Sequence, residues 1–83
     1  MIKSLFLKNF ALIKEEKINF EKGLNIITGE TGSGKSLFLK SLIFLCGARF
    51  SRDFIRHGEE RCVLEAELVK DEQNIIIRRV FDV

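Results

Sequence analysis

Gly29-Glu30-Thr31-Gly32-Ser33-Gly34-Lys35-Ser36 decides how the rest of this 83-residue chain is read. The stretch meets G-x-x-x-x-G-K-[ST] at every fixed position. Its glycines let the main chain curl, so that successive N–H groups point inward as an anion nest. A helix opening at such a loop turns its positive dipole end toward the same spot. Lys35 brings a point charge to the β- and γ-phosphates, and Ser36 offers a hydroxyl to Mg2+. A metal spanning phosphate oxygens favours a nucleoside triphosphate over a monophosphate. With glycine at roughly 7% of residues, a chance match in so short a chain has odds on the order of a few in a thousand. A glycine-rich turn without function would leave the Lys35-Ser36 pair unexplained.

The flanks fit the loop. Leu24-Asn25-Ile26-Ile27-Thr28 is a short, mostly apolar run, as expected of a strand buried on both faces. Three glycines in six residues exclude regular structure within 29–36 itself. From residue 35 to 46 the chain has no helix breaker, and Gly47 stands where a C-cap is expected. That helix is apolar on most of its circumference, at Leu37, Phe38, Leu39, Leu42, Ile43, Phe44 and Leu45. It should be buried by more than one neighbour, with Lys40 and Ser41 as a narrow wet strip.

Further out, residues 2–9 and 12–20 read as strands, the second with Ile18 and Phe20 alternating against Lys17 and Asn19. Residues 21–23 read as a turn. Residues 48–60 are polar and basic, with one short helical turn at 53–56. Residues 61–70 put Cys62, Leu64, Ala66 and Leu68 on one face and Glu65 and Glu67 on the other. A turn at 71–73 and a strand at 74–83 complete a β-hairpin with a wet outer face.

Composition adds limits rather than direction. Apolar residues make up 46% of the chain and charged residues 31%, which excludes a disordered tail or a low-complexity linker. Fourteen Lys/Arg against twelve Asp/Glu leave a formal charge of +2, too weak to argue for nucleic acid alone. A chain of this size buries only roughly 60% of its unfolded surface and is marginal on its own. There is no proline, internal repeat or Gly/Ser linker, so residues 1–83 read as one domain. Cys46 and Cys62 have apolar neighbours and read as reduced core residues. The single histidine, His57, argues against a zinc site. The apolar stretch 37–46 contains Lys40 and falls far short of the ~20 residues a bilayer needs. Leu5-Phe6-Leu7 lies between Lys3 and Lys8, so no signal-peptide core forms. The cytoplasm is the default, with no membrane partner.

Three sequence elements surround the loop: residues 2–13 with Asn9-Phe10-Ala11, then Ile18-Asn19-Phe20, then 23–36 with its Glu30-Thr31 variant. Leu45-Cys46-Gly47-Ala48-Arg49, Phe54-Ile55-Arg56-His57-Gly58 and Arg78-Arg79-Val80 follow. Together they resemble the start of the RecN family, bacterial DNA double-strand-break repair ATPases related to SMC proteins. The resemblance covers essentially the whole chain. It implies an α/β P-loop NTPase, the N-terminal portion of an ABC/SMC-type head. In that head a mixed β-sheet surrounds a buried P-loop helix, with a C-terminal β-hairpin. It implies ATP and Mg2+ as cofactors. Gly29, Glu30, Thr31, Gly32, Ser33, Gly34, Lys35 and Ser36 would bind the nucleotide, Lys35 also as the catalytic residue and Ser36 as the metal ligand. The implied partners are DNA, the C-terminal half of the same head, and a second head in an ATP-dependent dimer. The implied location is the cytoplasm, at the nucleoid.

The resemblance also implies what must come from elsewhere. A Walker B strand ending in Asp-Glu and a signature motif belong to the C-terminal half, so 1–83 is expected to be an incomplete domain. Val80-Phe81-Asp82 follows Arg78-Arg79, lacks the apolar run and has no acidic successor. Glu30 reads as a solvated loop residue rather than a base. Arg56 matches a basic residue that in related heads approaches the nucleotide or responds to DNA; a plain surface arginine is the other reading. Asn9 and Phe10 stand where related heads approach the base, with core packing as the alternative for Phe10. Lys3, Lys8, Lys14, Lys17 and Lys22 form a solvated face or touch a DNA backbone. Other assignments of the loop are a DEAH-type RNA helicase, which usually has Thr at the Ser36 position, a small-molecule kinase, and a nucleotide-sensing module.

Overall fold

The computed structural model describes residues 2–20 and 32–83. Their regular elements are β1 (Ile2–Phe10), β2 (Ile13–Asn19), α1 (Gly32–Leu45), β3 (Arg61–Lys70) and β4 (Gln73–Asp82), with a 3-10 turn at Arg52–Phe54. The strands form one sheet in the order β2-β1-β3-β4, and every pairing is antiparallel. The described strands therefore do not form the mixed sheet expected of the class. Two of the three pairings join strands through two-residue turns, which can only reverse the chain. The strand expected at 24–28 and the turn expected at 21–23 lie outside the described residues.

Both tight turns use left-handed backbone at residues other than glycine. Asp71 and Glu72 have φ of 53° and 65°, the primed geometry whose twist matches that of the flanking strands. Ala11, in the β1–β2 turn, has φ of 54°. Period two then selects the core. Leu5 and Leu7 of β1 and Cys62, Leu64 and Ala66 of β3 are buried on the face that meets α1. Phe10, Phe44, Leu45 and Ile55 complete this core. A ring cluster closes one end of it. Phe10 stacks on Phe54 with centroids 5.5 Å apart, and Phe44 meets both edge-on.

The helix departs from expectation in three respects. It begins at Gly32, inside the glycine-rich stretch, rather than at residue 35. Glycine is costly in a helix interior, but the first turn has no completed i→i−4 bonds to lose. Ser41 is fully buried rather than wet. Its hydroxyl donates to the Phe38 carbonyl at 2.7 Å, so it enters the core with its donor satisfied. The sheet covers one side of α1 only, leaving Leu39 and Ile43 at 51% and 50% exposure. Cys46 belongs to that same stripe with Leu39, Leu42 and Ile43, and it is exposed rather than a core residue. Cys62 is buried as expected.

The end of α1 is built as the sequence suggests. Gly47 has φ of 112°. Its N–H donates to the Phe44 carbonyl at 3.1 Å, and the Ala48 N–H donates to Ile43 at 3.3 Å. These two bonds form a Schellman cap, which satisfies carbonyls the helix cannot reach. No helix among the described residues is long and apolar enough to cross a membrane.

Candidate nucleotide-binding site

The described part of the loop is the start of α1. This 14-residue helix carries no acidic side chain in its first turn, so its positive end is not neutralised from within. The first four N–H groups of any helix lack intrahelical acceptors. At α1 these belong to the Gly32, Ser33, Gly34 and Lys35 region, whose backbone is helical. Ser36, next after the first turn, is exposed. Gly29, Glu30 and Thr31 lie outside the described residues, as do the side chains of Gly32, Ser33, Gly34 and Lys35. The donor set fits Mg-nucleotide as chemistry: first-turn amides, one ammonium and one hydroxyl. Among the described residues there is no cluster of His, Cys, Asp and Glu able to hold a metal by itself.

Arg56 is held against the end of β1. Its N–H donates to the Asn9 carbonyl at 2.8 Å, and the Ala11 N–H donates to Phe54 at 2.7 Å. A β-bridge joins Phe10 to Ile55 between them. The Asn9 side chain donates to the Arg61 carbonyl at 3.0 Å. These contacts hold Asn9 at φ of 57°, a conformation that asparagine tolerates better than most residues. The β1–β2 turn and segment 52–56 thus form one unit. Beside it a cleft of about 460 Å³ is lined by Ala11, Leu12, Arg52, Asp53, Ile55 and His57. The Arg56 guanidinium is half-buried, with Nη1 4.0 Å from Glu59 Oε2. At that distance across solvent the pair contributes little. The described partners of Arg56 are Asn9 and Glu59, and neither belongs to the loop. His57 is exposed. Phe10 is wholly buried, taking the core role rather than a place against a base.

The lysines of the first two strands are scattered. Lys8, Lys14 and Lys17 are exposed, but Lys8 stands opposite Glu15, and Lys17 is flanked by Glu16. Lys3 lies 3.9 Å from Glu67. Lys22 lies outside the described residues; the other four form a solvated face rather than a continuous basic stripe. Burial pushes the Cys62 thiol up to about 12, so it stays protonated and unreactive.

One residue near α1 escaped the sequence reading. Arg79 of β4 donates from Nη1 to the Phe44 carbonyl at 3.1 Å, in the last turn of the helix. The signal was available. Alternation puts Ile75, Ile77, Arg79 and Phe81 on one face, so an arginine had to point inward with the apolar side chains.

A family model described as an AAA domain matches residues 4–83, and the chain belongs to that family. Within it the likeness is to RecN-type proteins, as the flanking elements imply. The chain is 46% identical over 65 residues to the DNA repair protein RecN of Bacillus subtilis (strain 168), covering 78% of this chain and 11% of that one. It is 39% identical over 84 residues to RecN of Rickettsia felis (strain ATCC VR-1525 / URRWXCal2), covering 99% of this chain and 15% of that one. It therefore spans only a small part of these relatives. The recombination mediator protein RecF with ATPrS superposes with a TM-score of 0.83 at 27% identity, over 100% of this chain and 24% of that one. RecF with ATP gives 0.77 at 25% identity, over 98% and 23%.

Proposed function

We propose that residues 1–83 are the ATP-binding first portion of the head of a DNA double-strand-break repair and recombination ATPase. One observation carries the reading: the complete 29–36 motif runs into a helix that begins at Gly32, with its first-turn amides unneutralised. Gly29, Glu30, Thr31, Gly32, Ser33 and Gly34 supply the anion nest. Lys35 neutralises the β- and γ-phosphates and is the catalytic residue of this segment. Ser36 is the Mg2+ ligand, and the metal, when bound, offsets charge on the transferring phosphoryl group. Arg56 is assigned to the edge of the nucleotide site on the strength of the family resemblance.

Hydrolysis needs a group to orient the attacking water and another to help Ser36 hold Mg2+. We assign these to a Walker B element and a signature motif in the C-terminal half of the head. ATP would hold two such heads together, and hydrolysis would release them. DNA is the partner of the whole protein, which works in the cytoplasm at the nucleoid. The RecN and RecF likenesses support this reading over a helicase, a kinase or a stand-alone sensor.

The test is Mg-ATP binding by the full-length protein, measured by calorimetry. Lys35→Ala is expected to weaken binding by about a hundredfold or more, since a charge-assisted contact to phosphate is lost. The 83-residue chain alone is expected to bind ATP weakly and to hydrolyse none. A clear turnover from it, lost in Lys35→Ala, would contradict the division of labour proposed.

A further inference from the structure

We propose that Arg79 is a positioning residue for the nucleotide loop. It fixes the rotation and axial register of α1 against the sheet, and through α1 the placement of the amides at residues 32–36. The inference rests on the nucleotide reading above.

Apolar contact holds α1 to the sheet without saying which way round it should sit. Burial is non-directional and follows area. Leu37, Phe38, Leu39, Leu42, Ile43, Phe44 and Leu45 spread over most of the helix surface, so several rotations would bury similar area. The observed one buries Phe44 and Leu45 and leaves Leu39 and Ile43 half exposed. A one-residue slip would move the first-turn amides by about 1.5 Å and turn them by about 100°. A phosphate hydrogen bond tolerates only about 0.5 Å. Something directional must therefore hold the register.

Arg79 has the required geometry. Its guanidinium donates to the Phe44 carbonyl at 3.1 Å, while its Cζ lies 5.1 Å from the centroid of the Phe81 ring. Phe81 in turn stacks on Phe50, with centroids 3.8 Å apart and planes at 9°. Phe50 meets Phe44 edge-on at 4.9 Å. The cation is thus seated on an aromatic platform that also grips the helix end it binds. On β3, Arg79 pairs with Leu64, a wholly buried residue at the centre of the sheet. The last turn of α1 has no basic residue of its own. Arg79 supplies from β4 the positive charge that this negative helix end favours.

The test is Mg-ATP affinity in the full-length protein, read beside thermal unfolding. Arg79→Ala is expected to weaken Mg-ATP binding by about tenfold, since small misplacements of positioned groups cost this much or more. Arg79→Lys is expected to recover about half of that loss on a logarithmic scale. Its ammonium can reach the carbonyl but cannot lie flat on Phe81. Combined with Ser36→Ala, the losses should fall short of multiplying, because the placement of α1's first turn sets both the amides and the Ser36 hydroxyl that meet one Mg-triphosphate. A residue that only stabilises the fold would lower the melting temperature and leave the affinity of the folded protein unchanged. That result, or losses that multiply, overturns the proposal. If Arg79→Ala does not fold, Phe81→Leu removes the platform and keeps the guanidinium, with about threefold weaker binding expected; unchanged binding there overturns it as well. A wild-type protein that binds no Mg-ATP would bring down the nucleotide reading and this inference together. Wild-type binding matched by Arg79→Ala would bring down this inference alone.

Discussion

Cys62 is wholly buried on β3, opposite Phe81 of β4, and its thiol is held up to about 12 by that burial. The consequence is a stability term at alkaline pH. In the unfolded chain the thiol ionises near its ordinary value of about 8.5, while in the folded chain it keeps its proton. Above that pH the unfolded state holds fewer protons, so stability falls as pH rises, until the folded thiol ionises too. The slope reaches about 1.4 kcal/mol per pH unit at most. Urea melts at pH 8 and pH 10 should show a loss in the wild type that is smaller in Cys62→Ala. Equal losses in both proteins would refute it. The variant will also be less stable at pH 8, since it empties part of the core. The proposed site rests on residue type and spacing: the 29–36 pattern assigns a chemistry to each of its fixed positions. Arg56 and Arg79 were not legible in this way, because what each touches depends on Asn9 and Phe44, 47 and 35 positions away in the chain.

Among the elements, α1 shows how far local rules reach. Its C-terminus was readable because Gly47 has a local cause: only a residue without Cβ adopts φ of 112° at little cost. A Cβ built there would meet nothing within 4 Å. The penalty of Gly47→Ala is therefore conformational and not steric, about 1–2 kcal/mol, read as a lower urea midpoint with unchanged slope. A value near zero would mean that the cap relaxes without cost. The helix start was misplaced because three glycines suggest loop, while a first turn requires no helix propensity of its own. Ser41 was misread for a related reason. Polarity counts toward solvent in a sequence pattern, yet the Phe38 carbonyl satisfies its hydroxyl locally. The hairpin strands were legible because residues 64–68 alternate apolar and acidic, although Val63 on the other face is buried as well. The order β2-β1-β3-β4 was not, because the β1–β3 pairing joins residues some sixty positions apart, such as Leu5 and Ala66.

At the scale of the whole molecule, the unevenness of the surface carries the last prediction. Burial is concentrated under one side of α1, while Leu39 and Ile43 lie open on the other side. β4 pairs with β3 along its whole length and stands last in the order of the described strands. Its first half holds Ile75-Ile76-Ile77, exposed at 41%, 62% and 39%. Three β-branched residues on an outer strand, with no proline or lysine among them, are the arrangement that invites strand addition. Natural edges are usually blunted by charge, and here Arg78 is drawn toward Glu65 on β3, at 3.6 Å. The 83-residue chain expressed alone should therefore self-associate as its concentration rises, by light scattering. Ile76→Lys should suppress this, since the position is the most exposed of the three and a lysine there opposes pairing without entering the core. The substitution should shift the unfolding midpoint by no more than about 0.5 kcal/mol, as expected for a surface site. Association that persists unchanged in Ile76→Lys would move the cause to the open face of α1, and Leu39→Lys would then be the variant that reduces it.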